Sequence, residues 1–294
     1  ADFGDLNNAV EAPAGCSSTT RAIFGGGHTP TKVNVIDYVT IGSLGDATDF
    51  GDLDATTTAG TAVASSTRGL FMGGYTPTVI DDIQYVTIAT TGNTTDFGDL
   101  TGTRRSLAAV SSSIRGVAGG GGNPTVSDVL DYVAIASTGD AVDFGDLTSV
   151  RWKFAACSNG HGGIEVGVLA RPELGGHPDR AAFGGGFNPG GETDIIDYVQ
   201  IMSTGNAADF GNLSVARGQT TGFSSGTRGI TYAGDEDNSP HVESNVIDYI
   251  TLASVGNATD FGDASVARRF LGAGSNATRG FGGGGYEPSR SNVI

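Results

Sequence analysis

Acidic side chains recur beside one aromatic residue along the whole chain, and they are the first candidates for chemistry. Asp-Phe-Gly followed by Asp or Asn occurs six times, and its phenylalanines are Phe3, Phe50, Phe97, Phe144, Phe210 and Phe261. Around the second copy, the carboxylates of Asp46, Asp49, Asp52 and Asp54 could hold calcium through oxygen ligands. Their spacing is not that of an EF-hand loop. We therefore predict no cofactor and no metal site, with calcium left as an open alternative.

Residues suited to catalysis are sparse. The four histidines share no spacing: His28, His161, His177 and His241. Cys16 and Cys157 occupy equivalent positions, 13 residues after a motif phenylalanine, where other repeats have hydrophobic residues. We interpret both as buried, unpaired thiols. Nucleophile-elbow and zinc-protease patterns are absent. We predict no catalytic residues and a protein that is not an enzyme.

Aromatic and arginine side chains in segments that differ between repeats are better candidates for binding. One set comes two residues before a proline, which stiffens a loop, and a second set comes seven residues after a motif phenylalanine. Trp152 is the only tryptophan and adjoins the second set. Arginines with aromatic rings are what binding hot spots use; the alternative is that these loops pack only on their own strands. The predicted ligand-binding residues are His28, Tyr75, Phe187, Tyr286, Arg104, Arg151, Trp152, Arg217 and Arg268.

Composition excludes several classes of partner. The formal net charge is −16, which argues against binding of a nucleic-acid backbone or of an anionic membrane surface. No apolar run reaches the roughly 18 residues of a membrane helix, so we predict no membrane insertion. The chain begins at Ala1 without a methionine or a signal segment. Either its N-terminus is processed or it is part of a longer chain.

The spacing of the motif defines a repeat that must position these residues. Successive motif phenylalanines are 47, 47, 47, 66 and 51 residues apart. The third unit contains four segments of strand character separated by turns rich in Gly, Asn and Pro, and none has a helical period. These segments are residues 105–111, 115–118, 129–135 and 141–147. The units are residues 7–53, 54–100, 101–147, 148–213, 214–264 and 265–294 with 1–6.

Six units of four short antiparallel strands are typical of a β-propeller. We predict one all-β domain over residues 1–294, a six-bladed β-propeller with four antiparallel strands per blade. The sixth unit stops at Ile294 inside its third strand, and residues 1–6 would supply its fourth strand and close the ring. About 11 residues of a normal unit are missing there by comparison with the others. Either that blade is trimmed or the native chain continues past both ends, and we favour the second reading.

Two charged positions occur in every unit, and we interpret them as structural. One is an arginine on the second strand, and the other is the aspartate before each motif phenylalanine. We expect a ladder of charge-assisted hydrogen bonds between strands or blades. The arginines are Arg21, Arg68, Arg115, Arg180, Arg228 and Arg279.

These residues resemble a known repeat. Arg-Gly-x-Phe-Gly-Gly-Gly, with a tyrosine about 12 residues later and an aromatic residue about 12 further on, is similar to the kelch repeat. In that family the glycine pair ends the second strand, and a tryptophan lies where this chain has Phe50 and its equivalents. The wording Val-Ile-Asp-Tyr-Val-Thr-Ile, continued as Asp-Phe-Gly-Asp-Leu, also resembles kelch-like repeats in virion and tail proteins of marine bacteriophages.

The resemblance implies a function as a binding or structural module. We expect a phage virion component, at a tail, fibre or capsid surface, that recognises a host glycan or a neighbouring virion protein and is located in the virion or outside the cell. An alternative is a cellular kelch-type scaffold for protein interactions, and a second alternative is a carbohydrate-active propeller enzyme. The apolar insertion at residues 159–179 suggests contact with a neighbouring subunit in a homo-oligomer.

Overall fold

A computed structural model describes residues 3–161, 179–238 and 240–294. Within these ranges the chain forms strands, turns and irregular segments, and it has no helix. Accordingly, no helix in the described ranges has the length and apolar character needed to cross a membrane. The apolar segment predicted to contact another subunit falls mainly on residues 162–178, which lie outside the described residues.

Five four-stranded antiparallel sheets form the main body of the protein. Strands are adjacent in each sheet in chain order, so that successive strands are connected as hairpins. The first sheet contains β1 (Ala14–Ser17), β2 (Arg21–Gly25), β3 (Val35–Thr40) and β4 (Thr48–Asp52), and the second contains β5 (Thr61–Ala64), β6 (Arg68–Tyr75), β7 (Val79–Thr87) and β8 (Thr95–Asp99). The third sheet contains β9 (Ala108–Ser111), β10 (Arg115–Gly119), β11 (Val129–Ala134) and β12 (Val142–Asp146), and the fourth contains β13 (Ala155–Ser158), β14 (Arg180–Gly184), β17 (Ile195–Gln200) and β18 (Ala208–Asn212). A separate hairpin, β15 (Phe187–Asn188) and β16 (Gly191–Glu192), lies between β14 and β17 in the chain, and the fifth sheet contains β19 (Thr221–Ser224), β20 (Arg228–Asn238), β21 (His241–Thr251) and β22 (Thr259–Asp263).

The sixth unit forms a shorter sheet than the sequence predicted. Its strands β23 (Gly272–Ser275) and β24 (Gly280–Gly283) pair only with each other, and a small hairpin, β25 (Tyr286–Glu287) and β26 (Ser289–Arg290), follows. The prediction of an all-β propeller arrangement of four-stranded sheets is confirmed, but the described residues contain five such sheets instead of six. The difference arises because Ile294 corresponds to Ile36, the second residue of β3, so the rest of a third strand has no counterpart.

Residues near the two termini contact each other beside this short sheet. The Phe3 N–H donates to the Ile294 carbonyl at 3.1 Å, and the Ile294 N–H donates to the Gly4 carbonyl at 2.8 Å. Asp5 and Val293 form an isolated antiparallel bridge. These bonds occupy the places that β3–β4 pairs occupy in the first sheet, where Ile36 is opposite Gly51.

The first strand of each unit is the innermost one. Each contacts the first strands of the units before and after it, and β23 contacts both β19 and β1. These strands are built largely of Ala, Gly and Ser, such as Ala14–Ser17 and Gly272–Ser275. Small side chains are required here because six strands converge on one axis.

Five of the six motif phenylalanines join neighbouring sheets, and the exception is Phe261, which is 55 % exposed. Phe50 is 2 % exposed and belongs to one buried cluster with Val86 and Ile88 of the next unit's third strand and turn. Its ring also meets Tyr38 edge to face, with centroids 5.9 Å apart. Burial of such a side chain contributes about 2 kcal/mol, so each buried copy of this phenylalanine stabilises the contact between its sheet and the next.

The repeated arginines connect neighbouring units through charge-assisted hydrogen bonds, as predicted. Arg21 stacks on the ring of Tyr38, 4.4 Å from its centroid, and its Nη1 donates to the Ile88 carbonyl at 2.9 Å. Asp49, before the motif phenylalanine, is exposed and makes no salt bridge. The predicted ladder of charge-assisted hydrogen bonds between units is therefore confirmed for the arginines, whose acceptors are backbone carbonyls of the next unit, whereas Asp49 supplies none of these acceptors.

The glycine of Asp-Phe-Gly is required by a close approach between units. Gly51 has φ 147°, and a Cβ at this position would lie 2.5 Å from the carbonyl carbon of Gly92 in the next unit. Only glycine allows both the backbone conformation and the contact. The motif is therefore explained as an outer-strand joint between neighbouring sheets.

Candidate functional site

A narrow channel runs along the axis of the molecule. Its middle is a cavity of about 130 Å³ lined by the first strands of all six units. A smaller cavity of about 70 Å³ adjoins it at one end and includes His161. At the other end it opens into a cavity of about 270 Å³ that Trp152, Lys153 and Phe270 help to line. We call this wider end the axial mouth.

The end beside His161 is lined by an incomplete circle of five serine hydroxyls. The five hydroxyl-to-carbonyl bonds are Ser17 to Ser275 (2.7 Å), Ser275 to Ser224 (2.9 Å), Ser224 to Ser158 (2.6 Å), Ser158 to Ser111 (2.6 Å) and Ser111 to Ala64 (2.9 Å). Nε2 of His161 lies 3.0 Å from the Ser224 carbonyl oxygen. Burial lowers the pKa of His161, and this bond opposes that shift. Because the serine and histidine hydrogen-bonding groups at this end of the channel have partners, we interpret this end as structural.

The axial mouth is formed by a second circle, made of backbone. One residue in each unit, nine positions after the motif phenylalanine, adopts a left-handed conformation with φ between 53° and 59°. The N–H of each donates to the carbonyl of its counterpart in the preceding unit, as for Lys153 to Ser106 at 2.8 Å and Ala12 to Phe270 at 2.8 Å. The six residues are Ala12, Ala59, Ser106, Lys153, Gln219 and Phe270. Such conformations cost about 1 kcal/mol each without glycine, and strain of this kind concentrates at functional sites.

Lys153 is the most unusual residue of this circle. Its Nζ lies 4.6 Å from the ring centre of Trp152, 5.2 Å from that of Phe270 and 5.5 Å from that of Phe187. Burial lowers the pKa of Lys153, and the charges of Arg105 and Arg269 lower it further. The ammonium group of Lys153 is therefore held at the mouth by attraction to the faces of these aromatic rings.

Arg105 and Arg269 add positive charge near Lys153. The Arg105 guanidinium lies 5.0 Å from the ring centre of Tyr75, and that of Arg269 lies 4.9 Å from the ring centre of Tyr286. Arg269 is bound to the fully buried Asp235 at 3.2 Å. Among the described residues Arg105 and Lys153 form no salt bridge. These two cations at the mouth thus have no carboxylate partner among the described residues of a protein of net charge −16.

The acidic groups around the mouth are already engaged. Asp235 accepts hydrogen bonds from the Val242 N–H at 3.0 Å and lies 2.5 Å from His241 Nδ1. Glu11 accepts from Arg290 at 3.0 Å and lies 3.1 Å from His28 Nδ1. Both carboxylates therefore pair with an arginine, and the charge of Asp235 also raises the pKa of Lys153, against the larger effect of burial.

The loop residues and Trp152 that were predicted to bind a ligand lie around this mouth. Bridges join each loop to a connection between units, namely Glu11 to His28, Thr58 to Tyr75, Trp152 to Phe187 and Arg269 to Tyr286. Each of these loops therefore lies beside a connection between units. Phe187 is buried, whereas the other three loop residues and Trp152 are half-buried. His28 and Trp152 line the mouth cavity directly.

The four arginines that were predicted to bind a ligand do not lie at the mouth. Arg104, Arg151, Arg217 and Arg268 are between 0 % and 5 % exposed. The first three pair with Asp131, Asp197 and Asp248 of their own units, and Arg268 donates to the Gly284 and Val293 carbonyls. Their guanidinium groups lie inside the sheets, away from any surface that a ligand reaches. These four arginines therefore stabilise the sheets, and we no longer assign them to the ligand-binding residues.

The residues that follow these four arginines in the sequence were not predicted as site residues. Arg105 and Arg269 come one residue later, and Lys153 and Phe270 two residues later, than the positions chosen. A signal for them was present, since the eighth and ninth positions after the motif phenylalanine differ in type among the units. The left-handed turn that directs them to the mouth was not visible in side-chain types.

Metal and thiol chemistry have little support in the described residues. No group of three or more His, Cys, Asp or Glu side chains there could hold a metal ion. Cys16 and Cys157 are free and buried, and burial raises the pKa of each thiol to about 12. The predicted absence of a disulfide between them is confirmed.

Comparison of the sequence with models of protein families gives no match, and comparison with curated protein sequences gives none either. The geometry of the axial mouth therefore carries the functional argument.

Proposed function

We propose that this chain is a non-enzymatic binding module whose six units form one closed ring, with the N-terminal segment completing the last unit. Two hydrogen-bonded circles support closure, since Ala12 N–H donates to the Phe270 carbonyl and the Ser17 hydroxyl donates to the Ser275 carbonyl. Each of these bonds joins the first unit to the sixth. Such a ring would hold the mouth residues at fixed positions about the axis, as a binding site requires.

The biological setting we propose is the surface of a phage virion. The support is the resemblance of the repeat wording to kelch-like units in virion and tail proteins, together with the net charge of −16. A tail, fibre or capsid-surface component would use the module to recognise a host glycan or a neighbouring virion protein. Of these two, the mouth favours the glycan, because a cavity of about 270 Å³ accommodates a small ligand better than a protein surface.

The ligand class that fits the mouth best is an acidic saccharide. The observation that carries this proposal is the cation Lys153, which lies among the rings of Trp152, Phe270 and Phe187 without a carboxylate partner in the described residues. Aromatic faces pack on the apolar faces of sugar rings, and an ammonium with a nearby guanidinium recognises a carboxylate or sulfate. Arg105 supplies that guanidinium.

A glycan array that contains matched acidic and neutral oligosaccharides tests this proposal. We expect wild-type protein to bind acidic members and Lys153→Gln to lose them. Thr90→Glu is the matched control, because it changes the net charge by the same amount at an exposed position on another part of the molecule. Absence of binding to any saccharide of a host envelope, or equal loss in both variants, would contradict a glycan site at the mouth.

A further inference from the structure

The circle of left-handed residues contains one buried amide whose oxygen has no partner among the described residues. Gln219 is 3 % exposed, and its Oε1 is buried without a hydrogen bond there. An unpaired acceptor of this kind destabilises a fold, and most buried polar groups in native proteins have a partner. The circle does not require a polar side chain, because the equivalent residues Ala12 and Ala59 are apolar. Gln219 is therefore a candidate for a ligand contact.

The next residue departs from the other units in the same way. Thr220 is 9 % exposed, and its buried hydroxyl oxygen also has no partner among the described residues. The equivalent residues of the other five units have no hydrogen-bonding side chain: Pro13, Gly60, Leu107, Phe154 and Leu271. The fifth unit thus has two successive buried polar side chains where the repeat does not require them.

Both residues lie below the axial mouth. They line the axial cavity of about 130 Å³ but not the mouth cavity, whereas the other five residues of the left-handed circle line both. The circle is therefore the opening between the two cavities, and Gln219 faces its inner side. Its N–H donates to the Lys153 carbonyl at 2.7 Å, and its carbonyl accepts from the Phe270 N–H at 3.1 Å. The backbone that carries the amide is consequently held in place on both sides.

The rest of the axial cavity is small and largely apolar. Alanines of the other five units line it, whereas the fifth unit contributes Gln219, Thr220, Thr221 and Gly222. Lys153, at the opening, is the only charged residue among the described residues of the lining. A charged ligand group deep in the cavity would lose its hydration without gaining an opposite charge. The cavity therefore suits a neutral group with one apolar part and few polar atoms.

The other end of the channel shows how structural polar groups behave in this molecule. There the Ser158 hydroxyl donates to the Ser111 carbonyl at 2.6 Å, and the Ser224 hydroxyl donates to the Ser158 carbonyl at 2.6 Å. The polar side chains of the serine circle are thus paired within the protein. Gln219 and Thr220, at the end nearer the mouth, differ from them in this respect.

We propose that the axial cavity is a subsite for the N-acylamino group of an acidic sugar whose carboxylate lies at Lys153. This inference rests on the proposed function, because it places the sugar at the axial mouth. The ligand N–H donates to Gln219 Oε1, the Thr220 hydroxyl donates to the acyl carbonyl, and the acyl methyl packs on alanine side chains. An acetamido group has one donor, one acceptor and one methyl, so it matches this lining. A hydroxyl in its place would leave the apolar walls without a contact.

A calorimetric titration with two matched sugars tests the subsite: a hexuronic acid and its 2-acetamido-2-deoxy counterpart. We expect the wild type to bind the acetamido acid at least 10-fold more tightly, and Gln219→Met to bind the two acids equally. Gln200→Met is the matched control, since Gln200 Oε1 is also buried without a partner in the described residues but lines none of the channel cavities. Equal binding by the wild type, or a preference that persists in Gln219→Met, would overturn the proposal.

Thermal melts of Gln219→Met separate a ligand contact from a structural role. We expect the melting temperature to equal or exceed that of the wild type, because the substitution removes an acceptor that the fold leaves unpaired. A fall of more than about 5 °C would show that the amide is bonded within the folded protein, for example through an enclosed water, and would overturn the proposal.

The methyl esters of the two sugars distinguish failure of this inference from failure of the proposed function. A preference for carboxylate over ester, without a preference for the acetamido sugar, would overturn the subsite and leave the acidic-ligand site in place. A preference for the acetamido sugar in both forms, without a preference for carboxylate, would support the subsite and contradict the carboxylate contact of Lys153. Binding of neither sugar in either form would contradict both.

Discussion

Arg151 and Lys153 are two residues apart in one connection between sheets, and their surroundings are opposite. Arg151 is 0 % exposed, with Nη2 2.5 Å from Asp197 and Nη1 2.8 Å from the Ile195 carbonyl. Lys153 lies among aromatic rings at the axial mouth without a carboxylate partner in the described part of the chain. A cation that the repeat supplies with its own counter-charge builds the scaffold. Lys153 lacks such a counter-charge among the described residues and lines the mouth cavity, which makes it the candidate for a ligand contact.

The largest effect should come from breaking the scaffold pair. Arg151→Met leaves the buried Asp197 carboxylate without its cation, so we expect the free energy of unfolding to fall by about 4 kcal/mol. The double variant Arg151→Thr with Asp197→Gln copies the neutral Thr57 and Gln84 of the second unit and should recover most of that loss. Urea denaturation of both variants measures this. A loss below about 1 kcal/mol for the single variant would place Arg151 outside the scaffold.

Removal of the mouth cations should change binding and leave stability almost unchanged. Lys153→Gln and Arg105→Gln each remove one donor to an acidic ligand, so we expect its affinity to fall about 10- to 100-fold. Unfolding of both variants should resemble that of the wild type, because neither side chain pairs with a carboxylate in the described residues. Isothermal titration together with thermal melts checks this. A fall in stability without a change in affinity would reverse the comparison with Arg151.

The pH dependence of binding should report the same difference. Burial and the neighbouring arginines lower the pKa of Lys153, so its ammonium loses its proton below the ordinary lysine value of about 10.4. As pH rises through that window, affinity for an acidic ligand should fall in the wild type and stay flat in Lys153→Gln. Over the same window the unfolded chain binds more protons than the folded chain, so wild-type stability should rise relative to the variant. Parallel profiles for the two proteins would contradict this.

The smallest effect should come from the serine circle at the other end of the channel. Ala64 occupies the place where the other five units have serine. Ala64→Ser would add a sixth hydroxyl that donates to the Ser17 carbonyl, so we expect a stabilisation of about 1 kcal/mol. Ligand affinity should not change, because this end is scaffold. Any effect of this substitution on binding would show that the two ends of the channel are coupled.

The sequence predicted the fold of each unit closely because every unit repeats the same constraints. The four strands expected in the third unit correspond to β9 to β12, with ends that differ by at most three residues. The pairing of Arg104 with Asp131 was also accessible, since the second unit replaces both members, as Thr57 and Gln84. The count of complete sheets was wrong because Ile294 reaches only the start of a third strand.

The residues of the candidate site were predicted less well, for a local reason. A left-handed backbone conformation is rare for residues other than glycine. The side-chain types therefore did not predict the turn at Lys153 or Phe270. That turn directs the seventh position after the motif phenylalanine into the sheet and the eighth and ninth to the mouth. The four predicted arginines consequently lie within the sheets, whereas Trp152, also predicted to bind a ligand, lines the mouth cavity.

The most direct test of an acidic-ligand site at the mouth is a calorimetric titration with one oligosaccharide in two forms, the free carboxylate and its neutral methyl ester. We expect the wild type to bind the carboxylate form at least 10-fold more tightly, and Lys153→Gln to bind the two forms equally. Equal binding of both forms by the wild type, or a preference that persists in Lys153→Gln, would contradict the assignment.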